Sequence, residues 1–258
     1  MREEFKYLVS NEKIELLRKL ISPFVSRDDH IAVHGDPDYT VRSIYFDTIN
    51  LKEYHKKLSG DLIRKKIRIR GYNHHPFNDL AFLEIKRKFN NGQLKSRAPI
   101  IYSHLEDLFI KPYNSEYIQQ RTDFPKALKN ANSFFYYIKR DNMVPVVSTI
   151  YEREAYIHKF DHNIRITFDK NLRGIPYPSL SSLYSDKGSL SVYSDDFILE
   201  IKSDNGFPVW MERIINILEI HRQALSKYTM CIDRSIGILN NFNREQIISK
   251  SNFYNYKE

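Results

Sequence analysis

The chain has 258 residues, 41% of them hydrophobic and 28% charged, which is enough for a substantial core and argues against intrinsic disorder. Its eight glycines are too scattered to cradle phosphate: even the two nearest, Gly60 and Gly71, exclude G-x-G-x-x-G and the P-loop. A single cysteine, Cys231, leaves no internal disulfide and no Cys-rich zinc site. The 40 Lys+Arg against 32 Asp+Glu give a net charge of +8, which fits either a basic surface or an anionic ligand.

In chain order, residues 1–10 read as a strand and 11–21 as a helix, with Asn11 as N-cap and Ile14, Leu17 and Ile21 on one apolar face. TVRSIYFDT (40–48) reads as a strand, followed by a short helix near 50–57. Strands follow at 61–72 and 79–90, and Asn90-Asn91-Gly92 then predicts a hairpin into LKSRAPI (94–100). Residues 103–142 lose the alternation and read as a helical insertion. Strands return at 144–158, 163–172 and 195–204, with a Ser/Pro/Tyr-rich loop over 173–195. Residues 207–225 read as the longest amphipathic helix, with Pro208 near its start, and 226–239 as a further helix. The expectation is one α+β domain over 1–240, an antiparallel barrel or sandwich, with a tail over 241–258. MREEFKYLVS lacks the apolar core of a signal peptide and no apolar run approaches a membrane span. A soluble, cytoplasmic chain is therefore expected, with any membrane role left to a separate membrane partner.

The charges fall on strand faces, because residues two apart share a face. Over 63–70, Arg64, Lys66, Arg68 and Arg70 oppose a face with Ile63, Ile67 and Ile69. Such a row of cations repels itself unless something anionic or water lies against it. The opposition recurs elsewhere. Glu84, Lys86 and Lys88 oppose Leu83 and Ile85. Arg165, Thr167 and Asp169 oppose Ile164, Ile166 and Phe168. Glu200 and Lys202 oppose Leu199 and Ile201, and Glu4 and Lys6 oppose Phe5 and Tyr7. Lys95 and Arg97 form a further pair, and Arg153 sits between Glu152 and Glu154. Arginine's planar fork suits phosphate, and an inward charged face suits a barrel wide enough for a solvated polyanion.

The pieces EFKYLV, VRSIYFDT, KLSGDLIRKKIRIRGY, FLEIKRK, YEREAY, IRITFDKNLRG, ILEIKS and SKY, in this order over roughly residues 2–230, resemble the VTC domain family. That family holds polyphosphate polymerases of the triphosphate tunnel (CYTH-like) superfamily. The resemblance implies an eight-stranded antiparallel barrel with flanking helices whose lumen binds a nucleoside triphosphate. It implies transfer of the γ-phosphate of ATP onto phosphate or a growing polyphosphate chain, with Mn²⁺ or Mg²⁺. Carried over by position, Lys6, Arg42, Arg68, Arg70, Lys86, Arg153, Arg165 and Lys227 would bind phosphate, Ser226 would assist, and Glu200 would hold the metal. The face pattern adds Lys57, Arg64, Lys66, Lys88, Arg97 and Lys202 as substrate contacts. Two positions depart from the yeast-type pattern: Ala224 stands where a basic residue is expected, and Lys57 where an arginine is. A triphosphatase and a non-catalytic polyphosphate-binding module are the alternatives. Nucleic acid is not expected, because no stacking aromatics interleave with the basic strand.

Three other motifs read as structural. His158 and His162, at i, i+4 spacing, fall between two strands and read as a turn. His74-His75 reads as a solvated loop. Trp210 reads as packing.

Overall fold

The computed structural model describes residues 3–28, 38–73, 80–90, 92–112 and 115–239. The C-terminal tail, His74-His75 and Asn91 lie outside the described residues. Among the described residues the ten strands are β1 (Glu3–Ser10), β2 (Val25–Arg27), β3 (Tyr39–Asp47), β4 (Ile63–Tyr72), β5 (Leu80–Phe89), β6 (Gly92–Ile101), β7 (Val144–His158), β8 (Arg165–Pro176), β9 (Leu190–Ser191) and β10 (Asp196–Ser203). Six helices accompany them: α1 (Ile14–Ile21), α2 (Lys52–Leu58), α3 (Leu105–Ile110), α4 (Ala127–Arg140), α5 (Val209–Ile217) and α6 (Lys227–Leu239).

The fold is α+β. Hydrogen bonds order the strands β1-β10-β8-β7-β3-β4-β5-β6, with β2 on β7 and β9 on β8. Eight strands thus lie on one path, as expected, but among the described residues its ends, β1 and β6, do not pair with each other. Each end is met at one place by another segment instead. Tyr7 of β1 bridges Arg222, and Gln223 N donates to the Lys6 carbonyl at 2.8 Å. On β6, Ile100 bridges Ile118, and Gln119 N donates to the Pro99 carbonyl at 2.9 Å. Covering an edge in this way removes the open row of donors and acceptors that would otherwise recruit another strand.

Contacts cluster the chain into two compact units, each built from separated segments: Met1–Thr40, Tyr151–Arg173 and Ser191–Lys227 in the first, Val41–Ile150, Gly174–Leu190 and Tyr228–Glu258 in the second. In the first unit the apolar faces of β1, β8 and β10 (Phe5, Val9, Ile166, Phe168, Leu199, Ile201) pack on Leu17 and Ile21 of α1 and Met211 and Ile214 of α5. In the second, Ile44, Ile67, Ile69, Leu83 and Ile85 pack on Leu108 and Phe109 of α3 and on Phe134, Phe135 and Ile138 of α4. In both units the helices therefore cover the apolar face of the strands and leave the charged face opposite. The isoleucine-versus-cation alternation over 63–70 sets the orientation of β4.

The helix expected over 207–225 stops at Ile217. Glu219 adopts a left-handed φ of 51°, and the chain then runs to Arg222 beside β1. The longest described helix is α4, with 14 residues. Trp210 stacks on Phe24 with ring centroids 4.4 Å apart. His158 closes a turn, its Nδ1 accepting from Phe160 N and Asp161 N at 3.2 and 2.9 Å.

Candidate functional site

In the first unit, strand register assembles a charged cluster. Lys6 lies opposite Glu200, which lies opposite Thr167; Glu4 lies opposite Lys202, which lies opposite Arg165. Cross-strand partners share a face, so these residues form two adjacent rows. The Glu200 carboxylate is buried at 5% exposure and meets Lys202 Nζ at 2.7 Å, Lys6 Nζ at 3.8 Å and Lys227 Nζ at 3.9 Å. Asp169, at 1% exposure, accepts from Arg153 Nε and Nη2 at 2.6 and 2.7 Å and also pairs with Lys227. The Arg153 guanidinium and Lys227 ammonium lie 5.3 and 4.8 Å from the Tyr151 ring centroid. Lys227 is the first residue of α6, and Ser226 before it is buried.

Burial alone would push the Glu200 carboxyl up, but the charges of Lys202, Lys6, Lys227 and Arg153 outweigh it and hold it well below the usual carboxylate range. Asp169 follows the same balance: burial opposes ionisation, and Arg153 and Lys227 enforce it. For Lys6, burial works against the ammonium, but Glu200 and Glu4 more than restore it, so its pKa is raised. The carboxylates are therefore ionised and Lys6 charged at neutral pH, and both carboxylates are weak bases.

The second unit carries its own cationic face. Arg64 lies opposite Lys88, Lys66 opposite Lys86 and Arg68 opposite Glu84; on the next strand Lys86 lies opposite Lys95 and Glu84 opposite Arg97. Arg68 holds Glu84 through Nε and Nη2 at 2.8 and 2.6 Å and donates to the Tyr45 hydroxyl at 2.8 Å. Lys95 and Arg97 reach the other Glu84 oxygen at 3.0 and 3.1 Å, and the Arg97 guanidinium lies 3.5 Å from the Phe82 ring centroid. Arg70 donates to Ser43 Oγ at 3.1 Å. Burial would raise the Glu84 carboxyl, but Arg68, Arg70, Lys95 and Arg97 hold it well down.

Lys6, Arg153, Glu200, Lys202 and Lys227 thus meet in one cluster, and Arg64, Lys66, Arg68, Arg70, Lys86, Lys88 and Arg97 share one face of another. Arg165 lies on the first face but is engaged by Asp28 at 2.7 Å. Arg42 is not brought to the cationic face. It is fully buried on the other side of β3, with Ile44 and Phe46, and binds the Asn73 carbonyl and the Asp186 carboxylate. Lys57 sits on α2, off the strands. The charged-face reading named Asp169 and Glu84 but gave neither a role; Asp169 holds Arg153 and Lys227, and Glu84 holds Arg68.

The VTC domain family model matches residues 1–236, so the chain belongs to the VTC domain family. A comparison with curated proteins gives no match. Among solved structures, the chain is similar to a Hippeastrum protein described as an adenylyl cyclase candidate with a dominant triphosphatase activity, at 12% identity and TM-score 0.48, covering 90% of this chain and 96% of that one. It is also similar to a protein of Pyrococcus horikoshii (14%, TM-score 0.45, 91% and 99%) and to an adenylate cyclase candidate of Vibrio parahaemolyticus (9%, TM-score 0.42, 89% and 97%).

Proposed function

We propose that this VTC domain protein is a phosphotransferase that moves the γ-phosphate of ATP onto a phosphate or a growing polyphosphate chain. The observation that carries the reading is the first-unit cluster: one buried, ionised carboxylate, Glu200, among Lys6, Lys202, Lys227 and Arg153. Phosphoryl transfer asks a protein for positioning and charge neutralisation more than for covalent chemistry. Lys6, Lys202, Lys227 and Arg153 would hold phosphate oxygens and offset the charge that builds on the leaving diphosphate. Asp169 would keep Lys227 and Arg153 aimed. The acceptor, itself a phosphate, is already anionic, so no general base is needed, in keeping with carboxylates held ionised. The cationic face of β4, β5 and β6 is a second binding face for the same class of anion.

No group of three His, Cys, Asp or Glu side chains able to hold a metal occurs among the described residues. The donor set nevertheless fits Mg²⁺ or Mn²⁺, because a small hard cation is commonly held by one or two carboxylates plus substrate phosphates. Glu200 is the proposed carboxylate ligand, and when bound the metal would draw charge from the phosphate oxygens. Incubation with ATP and Mn²⁺, followed by gel separation, tests the reading: a phosphate polymer is expected. Orthophosphate alone would point to a triphosphatase, and no product to a binding module.

A further inference from the structure

The end of the β4–β5–β6 meander carries an apolar tip that the proposed chemistry does not use. Leu58 ends α2, Leu62 precedes β4, Ile63 opens it, Phe89 closes β5 and Leu94 lies near the start of β6. All five are between 43% and 62% exposed. Ile63 is the register partner of Phe89, the Leu62 carbonyl accepts from Asn90 N at 3.2 Å, and Leu94 pairs with Arg87 next to them; Leu58 stands at the end of α2, where Asp61 N donates back to the Lys56 carbonyl at 3.0 Å just before Leu62. Isolated exposed leucines are ordinary, but five converging at one end of a sheet are not.

The tip is set in positive charge. Over residues 56–66 and 86–95 the sequence has nine lysines and arginines and one carboxylate, Asp61. Strand alternation places Arg64, Lys66 and Lys88 on one side of the sheet, so cations flank the tip on that face, whereas on the other side Lys65 is largely buried and paired with Asp141 and Glu53. A folded partner would need a matching acidic cup. A sheet of anionic headgroups over an acyl layer meets both features at once: exposed apolar side chains at element ends, with cations beside them.

We infer that this tip docks the protein on an anionic phospholipid surface, with Leu58, Leu62, Ile63, Phe89 and Leu94 entering the interface and the flanking cations meeting headgroup phosphates. The inference does not require the transfer reaction, although Arg64, Lys66 and Lys88 also belong to the proposed phosphate-binding face. The test is co-sedimentation of the full chain with phosphatidylcholine vesicles with and without 30 mol% phosphatidylserine, for the wild type and a Leu58→Ser/Leu62→Ser/Leu94→Ser variant. These three residues are exposed, so the fold should survive, and an unchanged tripolyphosphate-induced rise in melting temperature would confirm it. Expected are binding at least tenfold tighter to the anionic vesicles, weakening with added salt, and a further loss of tenfold or more in the variant. Saturating tripolyphosphate, which also occupies Arg64, Lys66 and Lys88, should weaken wild-type binding without abolishing it, because the apolar tip still enters the interface. Equal binding by the variant, or complete displacement by tripolyphosphate, would overturn the inference by showing that headgroups merely occupy the phosphate-binding cations. Absence of vesicle binding, with self-association of the wild type that the variant loses, would overturn it in favour of a contact between copies.

Discussion

Replacing Glu200 with glutamine keeps the side chain's shape and removes one charge from the centre of the first cluster. Lys202, Lys6 and Lys227 stand 2.7, 3.8 and 3.9 Å from the carboxylate, and the variant would leave them with Asp169 and Glu4 as the remaining nearby anions. Removing one partner of a buried ion pair costs about 3–5 kcal/mol. In a chain of this length that corresponds to a fall in melting temperature of roughly 6–20 °C. Tripolyphosphate should reverse much of it, because bound phosphate oxygens take the place of the lost carboxylate. At one hundred times its Kd a ligand adds about 2.7 kcal/mol to the folded state. Thermal melts with and without tripolyphosphate should therefore show a lower starting point for Glu200→Gln and a ligand-induced rise at least as large as the wild type's. Polymer formation from ATP and Mn²⁺ should be abolished. A variant that melts like the wild type without ligand, or makes polymer at a near wild-type rate with saturating Mn²⁺, would refute the reasoning.

In the second cluster, Glu84→Gln should destabilise more than Arg68→Ala, since it leaves Arg68, Lys95 and Arg97 facing one another. Chemical denaturation should rank the two in that order, with Arg68→Ala costing about 1–3 kcal/mol. Tyr228→Phe removes the hydroxyl that donates to Asp47 Oδ2 at 2.6 Å, where Asp47 also accepts from the Glu53 and Tyr54 amides of α2; a loss of about 1–3 kcal/mol is expected in the same assay. Gly174→Ala would place a Cβ 2.9 Å from Cys231 Cβ, and a cost of about 1–3 kcal/mol from overpacking should appear as a lower melting temperature. Glu200, Glu84 and Asp169 all have folded pKa values below their unfolded ones, so their contribution is complete above about pH 4.3. It is lost as pH falls through the folded values, and a midpoint series in acid should show stability dropping below about pH 4.3 and flat above it through these groups.

The strand faces were legible wherever one side is apolar and the other charged. Residues 63–70, 83–88, 164–169 and 197–202 read directly because burial on one side forces a period of two. Arg42 was not legible, since Val41, Arg42, Ser43, Ile44, Tyr45 and Phe46 are all buried and the strand gives no polar contrast to mark its sides. The helix after Pro208 was read too long for a related reason: Ile220 still reaches the same apolar core as Ile214, so the hydrophobic spacing continues past the backbone turn at Glu219. The expected self-repulsion along Arg64, Lys66, Arg68 and Arg70 overlooked a neighbour that only pairing supplies. Glu84 lies opposite Arg68 in the register, and nothing along β4 itself announces it.

Each compact unit is assembled from three stretches of chain, and the first depends on partners far along the sequence. Lys13 Nζ donates to the Leu218 carbonyl 205 positions away, and the first strand finds its neighbour only in β10. A polypeptide leaving the ribosome N-terminus first therefore holds β1 unpaired until most of the protein has emerged, with Phe5, Tyr7 and Val9 uncovered meanwhile. Distant pairings of this kind slow folding, because the entropy of closing the loop is lost before the contacts repay it. Synthesis thus has a long interval in which β1 is open to wrong partners, and chaperone dependence during expression should track that interval.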